Sequence, residues 1–170
     1  MKDNHLPQRK NIRLKEYDYD SAGAYFITIC TANRKHLLSK INPVGAGVLD
    51  RPFVDLHPYG VIADKYIRQM NDYYNHLSVD AYVVMPNHVH LLIRIHSDGR
   101  SGTPAPTKGN SAVARFVSAL KRFCNKEYGE NIWQRGYYDH VIRNQADYDD
   151  IYRYIENNPT QWKQDELYTN

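Results

Sequence analysis

His88 and His90 stand two residues apart in "YVVMPNHVHLLIRI", residues 82–95, at the entrance of a run rich in Val, Leu and Ile. Side chains alternate along a strand, so both imidazoles point to the same side. Two imidazoles one pleat apart can converge on a single divalent ion and leave most of its coordination sphere to other ligands, substrate oxygens included. A polar pair on the wet face of a sheet is the plainer alternative, because H-x-H recurs by chance. Partners elsewhere in the chain decide between them.

Residues 144–158 offer two. Tyr148, Ile151, Tyr152 and Ile155 recur at i, i+3, i+4 and i+7, the apolar stripe of a helix. At about 100° per residue Tyr152 falls in the middle of that stripe and reads as a core tyrosine. Tyr154 falls on the flank, one turn before Asn158, where a side chain can reach across to a sheet. A phenol of ordinary pKa near ~10 is a weak nucleophile at neutral pH. An adjacent metal lowers that pKa and polarises a phosphate under attack, so the pattern suits formation of a covalent phosphotyrosine. Asn158 is either a third metal ligand through its amide oxygen or a helix C-cap before Pro159.

The elements that must position these groups follow from periodicity. "AYFITICT" (24–31) predicts a strand, and 32–55 reads as a loop or irregular hairpin. A first helix runs from Tyr59 to about Tyr74, with Ile62, Tyr66, Met70 and Tyr73 on its apolar face. "VDAYVVM" (79–85) and "HVHLLIRI" (88–95) are a second and third strand joined at Pro86-Asn87. Residues 96–111 form a flexible loop. A second helix is capped by Ser111, carries Val113, Phe116, Val117, Leu120, Phe123 and Cys124 on one face, and ends at Gly129. "IWQRGYYDHVIR" (132–143) is the fourth strand. The last helix is capped at Asn144, with Asp147 completing a capping-box-like start, and stops before Pro159.

This β-α-β-β-α-β order with an added C-terminal helix is the ferredoxin-like pattern, an α+β fold with an antiparallel sheet and two helices on one face. Val89, Leu91, Ile93 and Ile95 form the face for those helices. His88, His90, Leu92, Arg94 and His96 form a polar face left open for the last helix and a ligand.

With 170 residues the chain forms one domain with a real core. No apolar run is long enough for a membrane span and no signal-peptide pattern opens the chain, so a cytoplasmic location is expected. Cys30 and Cys124 read as buried free thiols. The net charge is only +3, but Lys2, Arg9, Lys10, Arg13 and Lys15 give residues 1–20 the character of a basic arm. The outer side of the second helix carries Arg115, Lys121, Arg122 and Lys126, a solvated face or a set of phosphate contacts. Fifteen tyrosines against four phenylalanines suit half-wet packing and base stacking. His140 reads as a satisfied sheet histidine.

Taken together, "ITICTANRKHLL", "VDLHPYGVIADKYI", "YVVMPNHVHLLI", "WQRGYYDHVIRN" and "YIENNP" closely resemble the single-tyrosine HUH transposases. Among these they are most similar to the REP-associated, IS200-like tyrosine transposases, over nearly the whole chain. The resemblance implies His88 and His90 as metal ligands, Asn158 at the position of the third ligand and Tyr154 at that of the nucleophile. It implies Mg²⁺ or Mn²⁺ as cofactor and cleavage of single-stranded DNA near hairpins, with the 5′-phosphate kept on tyrosine. Members acting on REP palindromes usually continue after "NP" with a Val-Lys-x-Gly-like tail. Here the chain reads "NPTQWKQD", so a REP palindrome is not itself implied as the target. A non-catalytic, domesticated hairpin-binding protein and a phosphodiesterase using water are the competing functions. The short connection from Arg143 to Gln145 lets the last helix dock on its own subunit or on that of a homodimer partner, and a DNA enzyme would be nucleoid-associated.

Overall fold

The computed structural model describes residues 21–42, 53–97 and 111–169. The basic arm at 1–20 and most of the loop at 96–111 lie outside these residues. In chain order the regular elements are β1 (Gly23–Cys30), β2 (Ser39–Asn42), β3 (Phe53–Leu56), α1 (Pro58–Tyr73), β4 (Leu77–Val84), β5 (His88–Ile95), α2 (Ala112–Tyr128), β6 (Tyr138–Ile142) and α3 (Gln145–Asn157). Four strands form an antiparallel sheet in the order β4-β5-β1-β6. The two inner strands are consecutive in neither direction, as the ferredoxin-like topology requires. β2 and β3 form a separate antiparallel ribbon, so the segment expected to be loop or irregular hairpin is regular at both ends.

Both sheet faces are buried, for different reasons. Tyr25, Ile27 and Ile29 of β1 and Val89, Leu91, Ile93 and Ile95 of β5 meet α1 and α2 in the main core. The stripe of α2 is as the sequence predicts. That of α1 is rotated: Ala63, Ile67 and Met70 are buried, while Tyr73 is exposed and stacks on Phe123 instead. Ala24, Phe26 and Leu92 turn to the opposite face and pack with Ile155 and Ile151 of α3. This second face carries the last helix, as expected. His88 and His90 are buried beneath α3 and the chain that follows it.

The contact face of α3 also differs from the expected stripe. Tyr148, Ile151, Ile155 and Asn158 face the sheet, and Tyr152 lies at the rim, 37% exposed and stacked on Tyr148. The expectation of a core Tyr152 is thus corrected. The smaller Ile151 and Ile155 set the closest approach, and the tyrosine between them in sequence is rotated outward. A polar network fixes the same end of the helix. Asp80, at a register shift in β4, accepts from Arg94 at 2.9 Å and from the Tyr148 hydroxyl at 2.8 Å. The Arg94 guanidinium lies over the Tyr148 ring.

The fourth strand begins at Tyr138, six residues later than expected. Trp133 makes only an isolated bridge to Thr31. Gly60 marks a close approach: a Cβ there would stand 1.9 Å from the Leu38 carbonyl oxygen. That contact holds the Leu38 segment against the turn before β5, where Leu38 N–H donates to Pro86 O and the Ser39 hydroxyl to Val84 O. The turn presenting His88 is braced from behind. Cys30 and Cys124 are free thiols, the first half-buried and the second buried.

Candidate active site

The antiparallel register places Thr28 opposite His90 and Cys30 opposite His88, so β1 supplies the wall against which the two imidazoles stand. Phe26, one pleat further, stacks on the His90 ring with centroids 5.0 Å apart. The imidazoles converge as the alternation predicts: His88 Nε2 and His90 Nε2 are 2.9 Å apart. Their other nitrogens are held from behind, His88 Nδ1 by Asn87 Oδ1 at 2.7 Å and His90 Nδ1 by Thr28 Oγ1 at 2.8 Å.

α3 brings the phenol. Tyr154 Oη lies 3.4 Å from His90 Nε2, and its ring meets Phe26 edge-on. Asn158, one turn later, is buried and ends the helix in helical backbone geometry. The chain then folds back over the site. Trp162 is buried against His88 and His36, and Asp165 comes to rest among the imidazoles, the phenol and the amide. Asp165 Oδ2 accepts from Tyr154 Oη at 3.1 Å and from Asn158 Nδ2 at 2.7 Å, and lies 3.8 Å from His90 Nε2 and 3.9 Å from His88 Nε2. Its second oxygen accepts from the Leu167 N–H at 2.6 Å. A cavity of about 340 Å³ opens beside this group, with Phe26, Tyr154, Asn158, Gln161 and Gln164 in its wall.

Burial sets the protonation of the group. It drives the His88 pKa down to about 2, helped by neighbouring His90 and opposed by Asp165. His90 is lowered for the same reason, again against Asp165. Both rings are therefore neutral, as ligands must be. Burial would raise the Asp165 carboxyl, yet His90, the Asn158 amide and the Leu167 N–H together hold it below the usual carboxylate range. Tyr154 is pushed well above a normal phenol by burial and by the Asp165 charge. A cation held among these groups would oppose the Asp165 charge at that phenol.

The donor set fits a divalent ion. Ligand atoms of His88, His90 and Asp165 lie within 4.8 Å of one another. Asn158 Oδ1 is buried without a hydrogen-bond partner, an oxygen that a hard cation would satisfy. Imidazole nitrogen combined with carboxylate and amide oxygen suits a small divalent metal.

The family profile described as "Transposase IS200 like" matches residues 61–158, more than half of the chain. The chain belongs to the IS200-like transposase family. An uncharacterized protein of Haemophilus influenzae is 33% identical over 178 residues, covering 96% of this chain and 94% of that one. A solved REP-associated tyrosine transposase bound to a REP hairpin shares the fold at a TM-score of 0.60 and 21% identity, over 88% of this chain and 73% of that one.

Of the residues read from the sequence, this IS200-like chain brings four together: His88, His90, Tyr154 and Asn158. The α2 cations lie elsewhere, on the helix that packs against the opposite face of the sheet. Arg115, Arg122 and Lys126 are exposed there, with Arg122 over the Phe123 ring. Lys121 is turned inward and donates to the carbonyls of Gln134 and Gly136 at 2.8 and 2.7 Å. His140 pairs with Asp147 at 3.0 Å and joins β6 to the start of α3, a structural task. Three residues at the site were not anticipated: Asp165, Asn87 and Thr28. Asp165 follows the helix in a segment without periodicity, so its return to the site is a tertiary result. The strand register of "AYFITICT" against "HVHLLIRI" is the signal for Thr28, and Asn87 is the immediate sequence neighbour of His88.

Proposed function

We propose that this single-domain protein is a metal-dependent single-stranded DNA endonuclease and strand transferase that cleaves near DNA hairpins. Tyr154 is its nucleophile, and His88, His90 and Asn158, joined by Asp165, hold Mg²⁺ or Mn²⁺. The observation that carries this reading is the position of the Tyr154 hydroxyl, 3.4 Å from the nearer of two converging imidazoles. Membership of the IS200-like transposase family supports DNA processing as its task. A bound divalent ion would supply Lewis acidity, polarising the phosphate and favouring the phenolate.

The chain's own groups set the rest. Tyr154 Oη attacks the scissile phosphorus while the bond to the 3′ oxygen breaks. The phenolic proton passes to water, and the freed 3′ oxygen takes up a proton from water. The 5′-phosphate stays on Tyr154, and attack on that linkage by a 3′-hydroxyl rejoins a strand. Phe26 and α3 fix the ring, so the nucleophile is pre-positioned. Exposed Arg115, Arg122 and Lys126 of α2 would hold hairpin phosphates away from the cut, while Lys121 fastens the segment before β6. Among the described residues no helix is long and apolar enough to cross a membrane. We place the protein at the nucleoid.

The test is incubation of the full chain with end-labelled single-stranded hairpin DNA and Mn²⁺, followed by denaturing electrophoresis. A denaturation-resistant protein–DNA adduct is expected, absent in EDTA. Binding without cleavage would select the domesticated binder, and cleavage without an adduct would select a water nucleophile.

A further inference from the structure

Two side chains behind the imidazole pair determine which ring nitrogens can face an ion. Asn87 is fully buried at the turn before β5. Its amide nitrogen donates to the Leu167 carbonyl at 2.8 Å, with Thr169 Oγ1 at 3.3 Å. A carbonyl only accepts, so this contact fixes the amide's orientation and turns Oδ1 toward His88. Oδ1 stands 2.7 Å from His88 Nδ1 and, as an amide oxygen, can only accept. His88 Nδ1 therefore carries the hydrogen, and His88 Nε2 presents a lone pair.

His90 has a different kind of partner. Its Nδ1 lies 2.8 Å from Thr28 Oγ1, a hydroxyl that donates or accepts by rotating about its C–O bond. With a lone pair on His88 Nε2, the 2.9 Å contact between the rings requires the hydrogen on His90 Nε2. His90 Nδ1 then accepts from Thr28. To bind an ion, both Nε2 atoms must offer lone pairs. The His90 hydrogen is then lost to water at Nε2 and regained from water at Nδ1, and the ring stays neutral. In that tautomer Thr28 Oγ1 must accept, and its rotation allows it.

We propose that Asn87 and Thr28 are positioning residues of the ion site, Asn87 as a fixed acceptor and Thr28 as a reversible partner. Through Asn87 the C-terminal residues Leu167 and Thr169 help to fix the His88 tautomer. The proposal rests on the reading of His88 and His90 as ligands. It adds that the pair is competent only because one tautomer is locked and the other is free to exchange.

The test is Mn²⁺ titration of the full chain without DNA, read by the electron paramagnetic resonance of free Mn²⁺, together with ¹⁵N imidazole shifts of the ion-free protein. Thr28→Val keeps the shape of the side chain and its strand preference, and is expected to weaken Mn²⁺ binding about 10–100-fold, with Thr28→Ser restoring it. Asn87→Ala should weaken binding to a similar extent and give His88 mixed tautomers. Wild-type affinity in Thr28→Val and Asn87→Ala, with affinity lost in His90→Ala, overturns the positioning roles and leaves the ligand reading standing. Wild-type affinity in His90→Ala overturns both. Thr28→Val carries the test if Asn87→Ala does not fold.

Discussion

The choice between two tyrosines on one helix is a question of a few ångströms and of angle. Tyr152 and Tyr154 are equally exposed, so accessibility does not separate them. Direction does: Tyr154 Oη points at His90 and Asp165, while the Tyr152 ring lies along Tyr148 at the rim. Tyr154→Phe keeps the edge-on contact with Phe26 and removes only the oxygen. It should abolish the DNA adduct while the protein still melts cooperatively. Tyr152→Phe should leave adduct yield and melting temperature close to wild type, because its hydroxyl reaches no buried partner. A phosphotyrosine recovered at position 152 by peptide mapping would defeat the assignment.

At the scale of elements, the docking of α3 sets how well Tyr154 is aimed. Ile151 and Ile155 supply the apolar contact, worth about 2 kcal/mol for a fully buried Ile, and the Asp80–Arg94–Tyr148 network locks the start of the helix. Tyr148→Phe deletes one partly buried hydrogen bond. It should cost about 1 kcal/mol in denaturant melts and slow adduct formation, with Mn²⁺ affinity unchanged. Equal loss of Mn²⁺ affinity would mean that the network supports the imidazoles and not the helix.

A second element contact is pH-sensitive. Burial lowers the Lys121 pKa to about 8, below its unfolded value of about 10.4. Between these limits the unfolded chain binds the additional proton, so this residue adds stability as pH rises through that window. Below about 8 both states are charged and the dependence vanishes. The stability of wild type relative to Lys121→Met should therefore climb from pH 8 to 10. A flat difference in paired melts would show that the two carbonyl contacts hold the lysine fully charged.

These elements were unequally legible in the sequence. Alternation puts the two histidines on one side of β5, which rests on local strand geometry, and helical angle puts Tyr154 on the flank of α3 beside Asn158. Burial was harder. The sequence places the last helix on the polar face of His88, His90 and Arg94, but not the return of Trp162 over it, and imidazoles with satisfied Nδ1 atoms can be buried at little cost. Tyr152 lies off the contact face because a hydrophobic stripe defines a sector and not its centre. The centre was set by the smaller Ile151 and Ile155.

Considered whole, the molecule is divided by its sheet. The candidate site lies on the α3 face, and the exposed arginines and lysine of α2 lie on the other side. If those cations hold hairpin phosphates, binding and cutting are separable by mutation. Backbone contacts dominate affinity for nucleic acid and each adds to the salt dependence, whereas loss of an ion ligand removes chemistry and little of the grip. His90→Ala should therefore abolish cleavage while hairpin affinity stays within a few-fold of wild type. Arg122→Ala should weaken binding to different hairpin sequences alike. It should also lower the slope of log K against log salt by up to about one, without changing cleavage at saturating DNA. Fluorescence anisotropy at several salt concentrations measures both. An unchanged slope in Arg122→Ala, with a reduced one in His90→Ala, would place the DNA on the α3 face alone. The α2 cations would then be a solvated surface.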